Sequence, residues 1–167
     1  MGLLGIFDLR FEFKSGGVAM PTRYRPNVAG ILRDDKGKIL VCERIRRADS
    51  WQFPQGGIDE GEKALAALLR EMEEEIGLSK NLYSVGESRS GYRYEFEKGR
   101  NKYGFDGQEQ TYFLCDFHGK SEDICIETKH PEFQNTQWIK PKDFNLKWVP
   151  KFKRAVYKKV LNDFFDV

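Results

Sequence analysis

Residues 56–78 read GGIDEGEKALAALLREMEEEIGL, and the behaviour of this stretch decides what the rest of the chain must be. Leu65, Leu68, Leu69, Met72 and Ile76 recur at helical spacing, which predicts a helix over 62–77. Gly77 can stop that helix in a left-handed conformation. With Glu71 at the origin of a helical wheel, Glu75 falls at about +40° and Glu74 at about −60°. The carboxylates therefore share a face beside the apolar stripe, not opposite it. Glu71 and Glu75, four residues apart, repel each other across one turn, which costs stability unless a cation arrives. A hard divalent cation suits such oxygen donors, and Mg²⁺ typically takes a few carboxylates plus substrate phosphates. Arg70 can reach Glu74 at i,i+4, and Glu62 is well placed against the helix dipole. A solvated acidic helix would carry the same glutamates. The helix by itself therefore leaves surface and site open, and the Gly-rich loop ahead of it is what points to a site.

Working outward, residues 27–33 (NVAGILR) and 38–44 (KILVCER) read as strands joined by the turn Asp34-Asp35-Lys36-Gly37. The segment SWQFPQGGIDEGE is a loop punctuated by Gly and Pro54. Residues 82–96 are expected to be extended, with Tyr92, Tyr94 and Phe96 alternating, and 97–108 to form a loop. Strands are expected at 110–117, 123–127 and 133–139, and a second helix over 149–165. The stripe of that helix is Phe152, Val156, Val160 and Phe164. Strands, helix, strands, helix imply an α/β fold, a mixed sheet with helices packed on it.

The 167 residues suit one domain over 23–167, with 1–22 as an N-terminal extension. Hydrophobic residues at 40% and charged residues at 32% exclude a disordered chain. A net charge of +2 predicts no general attraction to nucleic acid, so any basic surface must be local. Cys42, Cys115 and Cys125 form no Cys-x-x-Cys pair, and His118 and His130 are the only histidines. That argues against a zinc site or disulfide scaffold and for a reducing, cytoplasmic setting. No run approaches the ~20 apolar residues of a membrane span.

The segment from Gly56 to Leu78 resembles the Nudix box, G-x5-E-x7-R-E-U-x-E-E-x-G-U with U aliphatic. Gly56, Glu62, Arg70, Glu71, Met72, Glu74, Glu75, Gly77 and Leu78 fill every fixed position. Seven fixed residues agree by chance roughly once in 10⁸ windows. TRYRPNVAGIL, SWQFPQGG, GQEQTYFL, PEFQNTQWI and FKRAVYKKV look like segments of a narrower group. That group holds the bacterial RNA pyrophosphohydrolases and the asymmetrical diadenosine-tetraphosphate hydrolases. The resemblance implies the Nudix α/β/α sandwich around a mixed sheet. It also implies Mg²⁺-dependent hydrolysis of phosphoanhydride bonds, with two or more ions and Mn²⁺ as a substitute.

On that resemblance Glu71, Glu74 and Glu75 hold the metal, helped by the carbonyl of Gly56. Glu132 is a further ligand or the general base; from its residue type alone it is an ordinary strand-end acid. Catalysis is expected from Glu75, Glu132, Glu71 and Arg70, and substrate binding from Arg25, Tyr94, Gln108, Phe152 and Lys153. Arg25 fits either a bidentate phosphate contact or a structural ion pair. Tyr94 fits either base stacking or the core, and Phe152 fits its helix stripe equally well. Lys151, Lys153, Arg154, Lys158 and Lys159, with Lys98, Arg100 and Lys102, offer electrostatic guidance for RNA or a solvated face. The substrates implied are 5′-triphosphorylated RNA, favoured slightly, or a dinucleoside polyphosphate; a non-catalytic nucleotide- or RNA-binding module is the reading from another class. No membrane association and no stable protein partner are expected. Two departures bear on the choice: a short segment between Tyr94 and Gln108, and Ile45 where some RNA-acting members carry arginine.

Overall fold

The computed structural model describes residues 21–97 and 104–167. The expected extension falls almost wholly on residues outside that description, as do Lys98, Arg100 and Lys102. Seven described strands form one mixed sheet: β1 (Tyr24–Arg33), β2 (Ile39–Arg44), β3 (Trp51–Gln52), β4 (Gln55–Gly57), β5 (Tyr83–Glu95), β6 (Gly107–Phe117) and β7 (Phe133–Ile139). Two helices, α1 (Ala64–Ile76) and α2 (Arg154–Phe165), pack on it. The main order is β3-β2-β1-β6-β5, with β4 pairing β1 and β7 pairing β2. β1 and β6 run parallel from Tyr24↔Gly107 to Arg33↔Asp116, and the other pairings are antiparallel.

The central strands are apolar on both faces because helices cover both. Alternate residues of β2 serve different cores: Ile39 and Val41 face one, Leu40 and Cys42 the other. The same alternation sends Tyr112 and Leu114 of β6 toward α2, and Phe113 and Cys115 toward α1. Val156, Tyr157, Val160 and Leu161 of α2 close the first core; Ala67, Leu68, Met72 and Ile76 of α1 close the second. The α/β/α sandwich is thus written in the period-2 pattern of the strands and the 3.6 pattern of the helices.

Boundaries differ from expectation in several places. The expected loop SWQFPQGGIDEGE holds two short strands, β3 and β4, because its backbone pairs with β2 and β1; β1 begins already at Tyr24, and β6 at Gly107 inside the expected 97–108 loop. The first helix begins at Ala64, because the Glu62 carboxylate is taken by the Asp59 N–H and by Arg70 instead of capping a turn. Its end is as expected: Gly77 sits at φ 61° and donates back to Glu73 O. Residues 123–127 are not a strand. A single 3-10 turn at Ser121–Asp123 leads into an irregular segment, and the Cys125 N–H bonds to Ile76 O at 2.9 Å. Ile124 and Ile126 pack on the α1-side core, so their apolar alternation serves packing and helix termination, not a ladder. The last helix proper starts at Arg154. Pro150 forces Val149 into an extended conformation, and one 3-10 turn at Lys151–Lys153 intervenes.

Candidate active site

β4 itself carries the glycine pair and lays it against α1. A Cβ on Gly56 would fall inside the Glu71 carboxylate, and one on Gly57 would fall inside the Arg25 guanidinium. Only glycine at both positions lets an acid and a base approach the same loop from opposite sides. The loop is tied down by Arg70, whose guanidinium donates to Gly57 O at 2.9 Å and to Glu62 at 2.9 and 2.8 Å. It also reaches Glu71 at 2.6 Å. The expected bond to Glu74 is the longest of the set, at 3.4 Å. Arg70 therefore orients the loop and Glu71 more than it orients Glu74.

Beside this clamp opens a cleft of ≈ 800 Å³. Glu71, Glu74, Glu75 and Glu132 line it together with Gly56, and so do Arg25, Tyr94, Gln108, Phe152 and Lys153. Of the residues expected to act in catalysis, metal binding or substrate binding, all line the cleft except Arg70; Glu62, Lys151, Arg154, Lys158 and Lys159 do not line it. β1 supplies Arg25, the β5–β6 pair Tyr94 and Gln108, and α1 the three glutamates. Glu132 comes from the residue before β7, and its carbonyl accepts the Ile45 N–H at 2.9 Å.

The carboxylates differ in environment. Glu75 is 4% exposed, and its Oε2 accepts the Gln55 N–H at 2.8 Å. Burial pushes its carboxyl well above the usual range, and the nearby charges of Glu132 and Glu71 push the same way. Burial also raises Glu71, against the pull of Arg70. Glu74 is largely exposed. Among the described residues no three acids, histidines or cysteines converge into a ready-made cage. The donor set nevertheless fits a hard divalent cation. Glu71 is paired with Arg70, but among the described residues the buried Glu75 has no basic partner and sits beside Glu71 and Glu132, and Mg²⁺ keeps several waters or phosphates of its own.

Tyr94 lines the cleft and is also packed: it is 5% exposed, with Phe96, Phe152 and the Lys153 ammonium around its ring. Its hydroxyl donates to Gln108 Oε1, so it offers the cleft a positioned amide, not an open face. Sequence reasoning missed Asn27, Arg44, Arg47, Gln52 and Gln55, which also line the cleft. Asn27 was findable as the same-face neighbour of Arg25 at i,i+2. The run Arg44-Ile45-Arg46-Arg47 was visible, but its approach to the cleft depends on a loop with left-handed Arg46 and Asp49.

A NUDIX domain is matched over residues 23–160, and the chain belongs to that family of hydrolases, which generally use divalent metal ions. The RNA pyrophosphohydrolase of a Nitratiruptor species is 43% identical over 148 residues, covering 85% of this chain and 94% of that protein. That of Helicobacter pylori (strain G27) is 42% identical over 146 residues, covering 83% and 92%. Among solved structures, the E. coli dihydroneopterin triphosphate pyrophosphohydrolase superposes with a TM-score of 0.63 at 16% identity, covering 86% of this chain and 97% of that one. A C. elegans Ap4A hydrolase complex does so at 0.59 and 18%, covering 86% and 99%. Both share the fold.

Proposed function

We infer that this protein is a Mg²⁺-dependent RNA 5′-pyrophosphohydrolase, removing pyrophosphate from 5′-triphosphorylated RNA. The observation that carries the chemistry is the buried, uncompensated Glu75 beside Glu71 and Glu132, at one end of a cleft that also holds Arg25, Arg44, Arg47 and Lys153. Such a cleft has an acidic end that attracts cations and a basic side that attracts phosphates. The substrate assignment is supported by the relatives named RNA pyrophosphohydrolase, which match this chain along nearly their whole length.

Glu71, Glu74, Glu75 and the Gly56 carbonyl would hold the ions. Bound divalent cations would neutralise the polyphosphate and lower the pKa of an attacking water. Glu132 completes the ligand set or accepts the proton of that water. The water oxygen bonds to phosphorus, an anhydride bond breaks, and pyrophosphate leaves from a 5′-monophosphate end. Arg25 meets phosphate oxygens, Phe152 and Lys153 meet the first nucleotides, and Gln108 lies beside the substrate. Cys42, Cys115 and Cys125 are free thiols, which suits a reducing, cytoplasmic setting. No described helix is long and apolar enough to cross a membrane.

The deciding assay presents triphosphorylated RNA and diadenosine tetraphosphate side by side with Mg²⁺. The expected result is pyrophosphate release and a higher kcat/KM for RNA. A higher value for the dinucleotide would make this an asymmetrical dinucleoside polyphosphate hydrolase. No turnover of either would leave a binding module.

A further inference from the structure

The floor of the cleft is built from amides whose orientation can be followed by hydrogen-bond accounting. β1 and β6 pair Arg25 with Gln108 and Asn27 with Gln110. β5 adds Tyr94 opposite Gln108 and Tyr92 opposite Gln110, and β4 adds Gly57 opposite Asn27. Gln110 is fully buried. Its Oε1 accepts the Tyr112 hydroxyl at 2.8 Å. Its Nε2 donates to Asn27 Oδ1 at 2.8 Å and to Gln55 Oε1 at 2.6 Å. The side-chain oxygens of Asn27 and Gln55 are thereby committed to Gln110, and their amino groups are the ends left to face the cleft. One row away the same logic repeats: the Tyr94 hydroxyl commits Gln108 Oε1 and leaves Gln108 Nε2. In each chain a tyrosine hydroxyl donates to the amide oxygen, which leaves that amide's NH2 as the donor toward the next group.

We propose that Asn27, Gln55 and Gln108 form a donor-only floor that binds phosphate oxygens of the substrate, with Gln110 and Tyr112 as positioning residues that fix its polarity. Phosphate oxygens only accept hydrogen bonds, so a floor of N–H donors is complementary to them without adding positive charge that would compete with cations at the acidic end. The floor adjoins that end directly, since the Gln55 N–H holds Glu75 while its side chain belongs to the floor. The proposal rests on the polyphosphate-hydrolase reading but not on the choice between RNA and dinucleotide.

Asn27→Asp separates donor polarity from structure. An aspartate keeps the shape and still accepts from Gln110 Nε2, but turns the cleft-facing donor into an acceptor. Asn27→Ala and Gln55→Met remove a donor without adding charge. For the two neutral variants KM should rise about tenfold with kcat nearly kept, as expected for a lost hydrogen bond to a charged group. Asn27→Asp should exceed both, by more than its fall in melting temperature accounts for. Tyr112→Phe, remote from the cleft, should raise KM in the same direction by a smaller factor. Because the floor contacts phosphates, the rise should be the same for triphosphorylated RNA and diadenosine tetraphosphate. The proposal is overturned if Asn27→Asp leaves KM unchanged, if losses in activity merely track losses in melting temperature, or if only one substrate responds. Failure of the wild-type enzyme to hydrolyse either substrate would instead sink the function itself.

Discussion

Two glutamates beside the same helix, Glu62 just ahead of α1 and Glu75 near its end, meet opposite electrostatic conditions. At the first position, Glu62 and Arg70 neutralise each other: the guanidinium pulls the Glu62 carboxyl down to about 2, and Glu62 in turn helps hold Arg70 charged. At the second, Glu75 is buried against Glu71 and Glu132 with one backbone N–H for relief, and its carboxyl is pushed up. A glutamate satisfied by the protein is a structural part. One that the fold leaves unsatisfied is waiting for something outside the chain.

Breaking the unsatisfied side should have the largest effect on chemistry. Glu75→Gln should lower turnover of triphosphorylated RNA by at least ~10²-fold. It should not destabilise the protein without divalent cations. The sign follows from the raised carboxyl: its contribution to stability is fully present below the unfolded pKa and is lost as pH rises through the folded one. At neutral pH the unfolded carboxyl is ionised while the buried one resists ionisation, so the group costs stability, and Gln removes that cost while still accepting the Gln55 N–H. Melting curves in EDTA at pH 7 check this, with the variant at or above wild type; adding Mg²⁺ should then raise wild type more. A variant that melts well below wild type in EDTA would place Glu75 on the structural side of the comparison.

Arg70→Gln attacks the satisfied side. It strands Glu62 and Glu71 and frees the Gly57 carbonyl, so stability should fall by about 2 kcal/mol, less than for a fully buried pair. Activity should fall about 10–100-fold through misplacement of Glu71. The mark of a positioning role is that raised Mg²⁺ recovers part of the activity and none of the stability.

Glu62→Gln is gentler. Here the lowered carboxyl contributes stability above the unfolded pKa, and that contribution is lost as pH falls from about 4.3 toward about 2. The variant should melt below wild type at pH 7, by less than Arg70→Gln, and the gap should narrow in that acid window. A gap independent of pH would mean that the ion pair is not what holds the loop.

This contrast was only half legible in the sequence. The wheel placed Glu71, Glu74 and Glu75 beside the apolar stripe, because helical geometry fixes angles from spacing alone. It could not rank them: Glu75 is buried and Glu74 exposed because of where Gln55 and Glu132 arrive from other strands. Gln110 stayed unread for the same reason. A polar residue in a buried strand acquires meaning only from its cross-strand partner, and the parallel pairing of β1 with β6 is not local information. The irregular course of 123–127 was illegible because β-propensity does not say whether a partner strand exists.

The smallest expected effect lies at the edge of the site, where satisfied and unsatisfied charges meet again along the Lys151–Lys153 turn and α2. Lys159 is engaged by Asp163 at 2.8 Å, whereas Lys151 and Lys158 project on the exposed side of the chain that leads from the cleft through Phe152 and Lys153. If these two meet phosphates of the RNA beyond its 5′ end, Lys151→Ala with Lys158→Ala should flatten the dependence of log(kcat/KM) on log salt by about 1.4, at ~0.7 per phosphate released from a single strand. Diadenosine tetraphosphate has no such downstream strand, so its salt dependence should not change. Lys159→Ala should change neither, since its charge is already spent within the helix. Equal flattening by all three lysines would reduce the effect to net charge, and the distinction between engaged and available charges would then stop at the catalytic cleft.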